Sequence, residues 1–213
     1  MRDLSLLDTF LCEVDSALRT LITPKHRSTT RPNPAESVTE PLLTAQEKKH
    51  IAGLMRVNHA GEVSAQALYQ GQALTAKLTT VKTQMTNAAA EEIDHLAWCE
   101  DRLRELNSKP SLLNPLWYSG SLILGALAGL AGDKWSLGFV AETEQQVTHH
   151  LQEHLKHIPL QDAKTKAILS HMQEDESHHA EMAVQAGAAP LPSWIKKGMR
   201  GISKIMTKTS YYI

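Results

Sequence analysis

Two short segments, Glu92-Ile-Asp-His95 and Glu176-Ser-His-His179, each set a carboxylate and an imidazole three residues apart. On an α-helix that spacing puts both groups on one face, roughly 5–6 Å apart at Cβ, where they can share one metal ion. Such a pair arises easily by chance in a chain with 11 histidines among 213 residues, so the surrounding pattern decides its weight. Met85, Ala88, Ala89, Leu96, Cys99 and Leu103 fall on the face of the first pair, and Leu169, Met172 and Ala183 on that of the second. An apolar stripe at helical spacing faces a core, so both charged pairs point inward. Two further glutamates behave alike. Glu62 shares its stripe with Ile51, Met55, Ala65 and Tyr69; Glu144 shares its own with Leu137, Val140, Ala141, Val147, Leu151 and Leu155. Neighbouring acids do not: Glu142 stands beside Gln145 and Gln146, Glu174 beside Ser170, His171 and Ser177. Both are expected to be solvated.

Four inward carboxylates need counter-charge. Burying one without a partner costs several kcal/mol or forces its protonation. Two divalent cations balance four carboxylates and leave the two imidazoles neutral. The sequence also repeats the arrangement: Glu62 precedes Glu92-x-x-His95 by nearly the interval at which Glu144 precedes Glu176-x-x-His179. One glutamate from each of two helices and Glu-x-x-His from each of two others is the ligand pattern of ferritin-like di-iron and di-manganese bundles. The expected metal ligands are therefore Glu62, Glu92, His95, Glu144, Glu176 and His179, with either Glu92 and Glu144 or Glu62 and Glu176 as bridging carboxylates. Oxygen and nitrogen donors suit iron or manganese without choosing between them. Glu91, Asp94 and Asp175 are available to hold the far sides of the imidazoles. Cys12 and Cys99 are too few for a disulfide framework or a cysteine zinc site and point to a reducing compartment.

The elements that position these residues read as helices throughout, for no stretch alternates as a strand would. Residues 3–22 form an amphipathic stripe of Leu4, Leu7, Leu11, Val14, Leu18 and Leu21. A loop with Pro24, Pro32, Pro34 and Pro41 follows. Thr44 and Glu47 are spaced as a capping box, opening a helix to about Lys77; a second runs from about Thr80 to Leu106. Asp133 is expected to cap a helix to about His157, and another spans about Leu160 to Ala186, stopped by Gly187. Ser193 can cap a short basic helix to about Lys208. Four long helices in two pairs, with a longer connection between Leu106 and Asp133, outline an all-α bundle with one crossover. The connection is the most apolar part of the chain, Leu112–Val140. Its uncharged stretch is about long enough to span a bilayer, but its asparagine, proline, serines and glycines read as a buried or interfacial segment. The opening residues show no secretory signal. A net charge of −1 speaks against a nucleic-acid partner recruited by charge.

Four runs carry a closer likeness: Arg56-Val-Asn-His-Ala-Gly-Glu62, Glu92-Ile-Asp-His95, Phe139-Val-Ala-Glu-Thr-Glu144 and Asp175-Glu-Ser-His-His179. From about Leu43 to the C-terminus the chain resembles the demethoxyubiquinone hydroxylase family of ubiquinone biosynthesis. The resemblance implies a di-iron monooxygenase that uses O2 to hydroxylate the ring of a 2-polyprenyl-3-methyl-6-methoxy-1,4-benzoquinol. It places two iron ions on the six residues already chosen. Some members carry His-Tyr where this chain has His150-Leu151, so a relay through that tyrosine does not carry over; His150 itself remains a catalytic candidate. The chain is expected to divide into an N-terminal amphipathic helix (1–23), a proline-rich linker (24–43), a ferritin-like di-iron bundle (44–189) with an apolar crossover segment at about 111–132, and a basic amphipathic helix (190–213).

A polyprenyl substrate implies access to a membrane. The apolar crossover, with Trp117, Tyr118 and Trp135 near its ends, could dock there. So could the C-terminal segment, where Ile195, Met199, Ile202, Ile205 and Met206 alternate with Lys196, Lys197, Arg200, Lys204 and Lys208. The expected location is peripheral, on the cytoplasmic face of the cell membrane if the source is bacterial. Other ubiquinone-biosynthesis proteins and a second copy of the chain are further candidate partners. A ferritin-like iron-oxidising or storage protein and a membrane-associated structural helical protein are the competing readings.

Overall fold

The computed structural model describes residues 5–40 and 42–213, without the side chains of Leu6 and Thr9. Leu4 and Pro41, named above, lie outside the described residues. Seven helices follow in order: α1 (Leu6–Leu21), α2 (Ala45–Thr75), α3 (Thr79–Glu105), α4 (Asn114–Ala131), α5 (Asp133–His157), α6 (Ala163–Gln185) and α7 (Ser193–Ser210). Among the described residues there is no strand. Helices α2 and α3 pair, as do α5 and α6, and together they make the four-helix frame of a ferritin-like bundle.

Local chemistry sets most helix ends. Thr44 caps α2 as its spacing predicts, its hydroxyl accepting from Glu47 N at 3.2 Å while Glu47 accepts from Thr44 N at 2.8 Å. Gly187 ends α6 at φ 99°, a left-handed conformation that side chains with a Cβ resist. Two expected caps differ. Asp133 is the first residue of α5 and does not cap it; its carboxylate accepts from the backbone of Lys77 and Leu78, at 3.0 and 2.8 Å. It thus satisfies free N–H groups at the α2–α3 turn. Ser193 likewise begins α7 without a capping hydrogen bond, and Asp162 caps α6 by accepting from Thr165 N.

The apolar connection is itself helical. It lies along α2, and glycines make the approach possible: a Cβ added at Gly71 would strike the backbone of Leu122, and one at Gly125 the backbone of Leu68. The opposite side of α4 leaves Leu116, Ile123, Leu124, Leu127 and Leu130 exposed. No described helix is long and apolar enough to cross a membrane. Segment 24–43 is also more than a linker. Ala35 is buried in the bundle core, and Arg27, Thr30 and Arg31 reach side chains of α3 and α6.

The frame buries two apolar plugs. One gathers Ile51, Met55, Trp98, Cys99, Leu151, Leu169 and Met172; the other Tyr69, Val81, Met85, Leu137, Val140 and Ala183. On each of the four helices the expected metal ligands fall between the two.

Candidate metal centre

All six expected ligands converge between the plugs, and none is more than 3% exposed. Donor atoms of Glu62, Glu92, His95 and Glu176 lie within 4.8 Å of one another. His95 Nδ1 stands 3.0 Å from Glu92, 3.1 Å from Glu176 and 3.7 Å from Glu62. His179 Nδ1 stands 3.3 Å from Glu176 and 3.4 Å from Glu92. Glu144 completes the group beside Glu176 and His179. The geometry sorts the carboxylates: Glu92 and Glu176 each face both imidazoles, whereas Glu62 stands on the His95 side and Glu144 on the His179 side. The i,i+3 repeat holds each Glu-x-x-His glutamate against its own histidine, and antiparallel crossing of α3 and α6 brings it against the other.

Outside the cluster each imidazole has a carboxylate. His95 Nε2 donates to Asp175 at 2.9 Å and His179 Nε2 to Glu91 at 2.7 Å. Asp175 is held down to about 2, because hydrogen bonds from His95 and Arg31 outweigh its burial. An anionic acceptor places the ring proton on Nε2 and aims the Nδ1 lone pair inward, as metal ligation requires. Asp94, the third acid available by sequence, touches neither ring. It accepts from Thr30 N, Thr30 Oγ1 and Arg31 Nε.

Without cations this charge arrangement is costly. Burial, with the neighbouring Glu92 and Glu176 charges, lifts Glu62 and Glu144 well above the usual carboxylate range. Against the opposing effect of burial, hydrogen bonds to Glu176 and Glu92 raise His179 to about 12; the Glu92 charge raises His95 in the same way. Glu92 Oε1 is buried with His179 Nδ1 near it at 3.4 Å, but without the geometry of a full hydrogen bond. Protons thus occupy the places that cations would take. The donor set fits two metal ions: four carboxylates, two imidazoles with Nδ1 inward, and a buried carboxylate oxygen that lacks a good hydrogen bond.

Sequence reasoning missed several neighbours. Tyr69, two helical turns beyond Glu62, counts as apolar in the stripe, yet its hydroxyl donates to Glu144. Glu142 is buried rather than solvated, because α7 covers it and Lys196 Nζ meets it at 2.6 Å. The α7 contact leaves no trace in the spacing of α5. A cavity of about 480 Å³ opens beside the cluster, with Glu62 in its wall. Val57, Leu68, Leu124, Val147, Met199 and Ile202 make most of its surface apolar; Asn58, Thr143, Gln146 and His150 are among its polar residues. His150 Nε2 is buried without a hydrogen bond, and burial lowers the pKa of its ring. That ring lies 4.0 Å from His154, centroid to centroid, and His154 Nδ1 is 2.9 Å from Asn58 Oδ1.

Known proteins share this arrangement of sequence. Residues 49–210 match the family described as ubiquinone biosynthesis protein COQ7. A 3-demethoxyubiquinol 3-hydroxylase of Legionella pneumophila (strain Corby) is 68% identical over the full length of both chains. One of Acinetobacter baylyi is 58% identical, again over all of both. The chain belongs to the COQ7 family of ubiquinone biosynthesis proteins.

Proposed function

We propose that this protein is a monooxygenase of ubiquinone biosynthesis, hydroxylating the ring of a 2-polyprenyl-3-methyl-6-methoxy-1,4-benzoquinol at a di-iron centre. The observation that carries the reading is the junction of the buried six-residue cluster with an apolar cavity through Glu62. Two irons held there supply the two-electron reduction of O2, so that one oxygen atom enters the ring and the other leaves as water. Glu92 and Glu176, each facing both imidazoles, would hold the irons together with Glu62, His95, Glu144 and His179.

The remaining work falls to the chain's own side chains. Asp175 and Glu91 fix the two imidazoles. Tyr69 holds Glu144 by a hydrogen bond and restrains its swing. The apolar cavity excludes water from the reacting ring. His150, on the cavity wall with its pKa lowered by burial, is a candidate polar contact for orienting the ring. An iron store has no use for an apolar cavity at its metal site, which favours the hydroxylase over the ferritin-like alternative.

A polyprenyl tail requires a lipid surface. The outward face of α4 exposes Leu116, Ile123, Leu127 and Leu130, and α7 exposes Trp194, Ile202 and Ile205 beside Lys197, Arg200, Lys204 and Lys208. Both helices also line the cavity. This is the composition of an interfacial surface for anionic membranes, and we assign the protein to the membrane periphery, on the cytoplasmic face in a bacterium. Vesicle flotation checks the placement: no binding to anionic or neutral vesicles, with a dimeric mass in solution, would assign these faces to a subunit interface. The activity is tested by anaerobic iron loading, then O2 and a short-chain methoxy-methyl-benzoquinol, with mass spectrometry for one added oxygen atom. Two bound irons with no oxygenated product would overturn the hydroxylase reading.

A further inference from the structure

The two imidazoles of the cluster are held unequally, and the difference comes from outside the four-helix frame. On one side Asp175 Oδ2, which accepts from His95, also accepts from Arg31 Nη1 at 2.7 Å. The guanidinium is fixed from two further directions: its Nε donates to the buried Asp94 at 3.0 Å, and its Cζ lies 5.0 Å over the Trp98 ring. Thr30 anchors the same acid through its backbone N–H and its hydroxyl, at 2.8 and 2.7 Å. On the other side His179 has Glu91, whose side chain is 47% exposed and has no cationic partner among the described residues.

We infer that Arg31 is a positioning residue for His95 that makes the two metal positions unequal. The inference rests on the dinuclear reading above. A carboxylate hydrogen-bonded to the far nitrogen strengthens an imidazole as a metal donor and fixes its orientation. A guanidinium on that carboxylate offsets part of its charge while fixing its position, since Arg presents a rigid planar fork. His95 is therefore a firmly oriented but weaker donor, beside a fixed positive charge. His179 is a stronger donor, held by a partner that solvent can reach. The His95 position should favour the reduced metal relative to the His179 position.

The test uses the full chain, loaded anaerobically with iron-57 and read by ferrous titration and Mössbauer spectroscopy. Wild type should hold two ferrous ions in two distinct doublets. Arg31→Gln should move one doublet, weaken one of the two ions about tenfold and shift the midpoint potential downward. Glu91→Gln should move the other doublet. Arg31→Lys keeps the charge but not the planar fork, so it should move the same doublet and weaken the same ion while the potential stays near that of wild type; it also carries the test if the glutamine variant does not fold. Arg27→Gln removes the segment's other anchor, the ion pair of Arg27 with Glu100 at 2.6 Å, and should lower Tm with both doublets in place. The inference is overturned if Arg31→Gln or Arg31→Lys leaves both doublets unmoved, if Arg31→Gln and Glu91→Gln move the same one, or if Arg27→Gln reproduces the Arg31 effects. Wild type that holds fewer than two irons would overturn the centre itself, and the inference with it.

Discussion

The inner bundle buries charge, and the outer helices expose apolar surface. Between α2, α3, α5 and α6 four carboxylates and two imidazoles are closed off from water. On α4 and α7, and on α1 with Leu7, Phe10, Leu11 and Leu18, large apolar side chains face outward. Each region breaks the rule that polar groups sit outside and apolar groups inside. Each therefore implies a partner: cations for the first, an apolar surface for the second. The cavity touches both, with Glu62 on one wall and α4 and α7 on others. A quinol ring in that cavity would sit beside the cluster, with room for its tail along the outer helices.

The sharpest break between the two regions comes from removing one inner ligand. Glu144→Ala or His179→Ala should abolish hydroxylation and lose at least one iron per chain. Vesicle binding should be unchanged, since neither residue reaches the outer faces. Metal analysis and flotation on the same preparation read both halves. Full iron occupancy and turnover in either variant would remove that residue from the ligand set.

The complementary change acts on the outside alone. Leu127→Glu with Leu130→Glu puts two carboxylates on the exposed side of α4, where the wild-type side chains are 57% and 64% exposed. Each apolar side chain withheld from a lipid surface forfeits up to roughly 1.5–3 kcal/mol, so turnover of a long-chain quinol in vesicles should fall about tenfold or more. Iron content and turnover of a short-chain, water-soluble quinol should stay within about twofold. Equal loss on both substrates would mean that α4 serves the bundle rather than the lipid.

The sequence is legible in the two regions to different degrees, for a physical reason. Helical spacing reports which side of a helix is covered by its own neighbours. That suffices for Glu62, Glu92, Glu144 and Glu176, whose stripes run through residues buried in the two plugs. It fails where cover comes from a segment distant in sequence. Glu142 reads as solvated because Lys196, which covers it, belongs to α7. Asp133 reads as a cap for its own helix because the free N–H groups of Lys77 and Leu78 arrive from another turn. Arg31 sits in a stretch that composition marks as a linker, and only the fold brings it to Asp175 and Asp94. Which carboxylates face both imidazoles is not legible either, since it depends on how α3 faces α6.

Metal removal should separate the regions by pH. In the cation-free cluster His95 and His179 are raised above the ordinary 6.5, and Glu62 and Glu144 above 4.5. Groups with a raised folded pKa hold protons that the unfolded chain has released, so the stability they give is lost as pH rises. His150 and His154 are lowered by burial and act only on the acid side of about 6.5. Between about pH 6.5 and about pH 8.5 the metal-free protein should therefore lose roughly 5 °C of Tm. The metal-loaded protein should stay nearly flat, because its cations do not titrate. Parallel slopes would mean that the cluster carries its charge without cations.

The smallest expected effect lies at the seam. Helix α7 and Tyr211 after it are tied to the rest of the fold at four polar points: Lys196 to Glu142 at 2.6 Å, Ser64 Oγ to Met206 Sδ at 3.5 Å, Trp117 Nε1 to Ser210 at 3.0 Å, and His50 Nδ1 to Tyr211 at 2.7 Å. Only the first lies near its start, before the turns that carry Met199, Ile202 and Met206 into the cavity wall. Lys196→Met removes that tie and keeps an aliphatic stem of similar length. Lys196 is about one-third exposed and Glu142 retains its hydrogen bond from Gln146, so the loss in stability should be about 1 kcal/mol or less. A looser wall should raise KM for the long-chain quinol about twofold to threefold at unchanged kcat, because no metal ligand moves. A fall in kcat with KM unchanged would place α7 in the positioning of the reacting ring rather than in holding the tail.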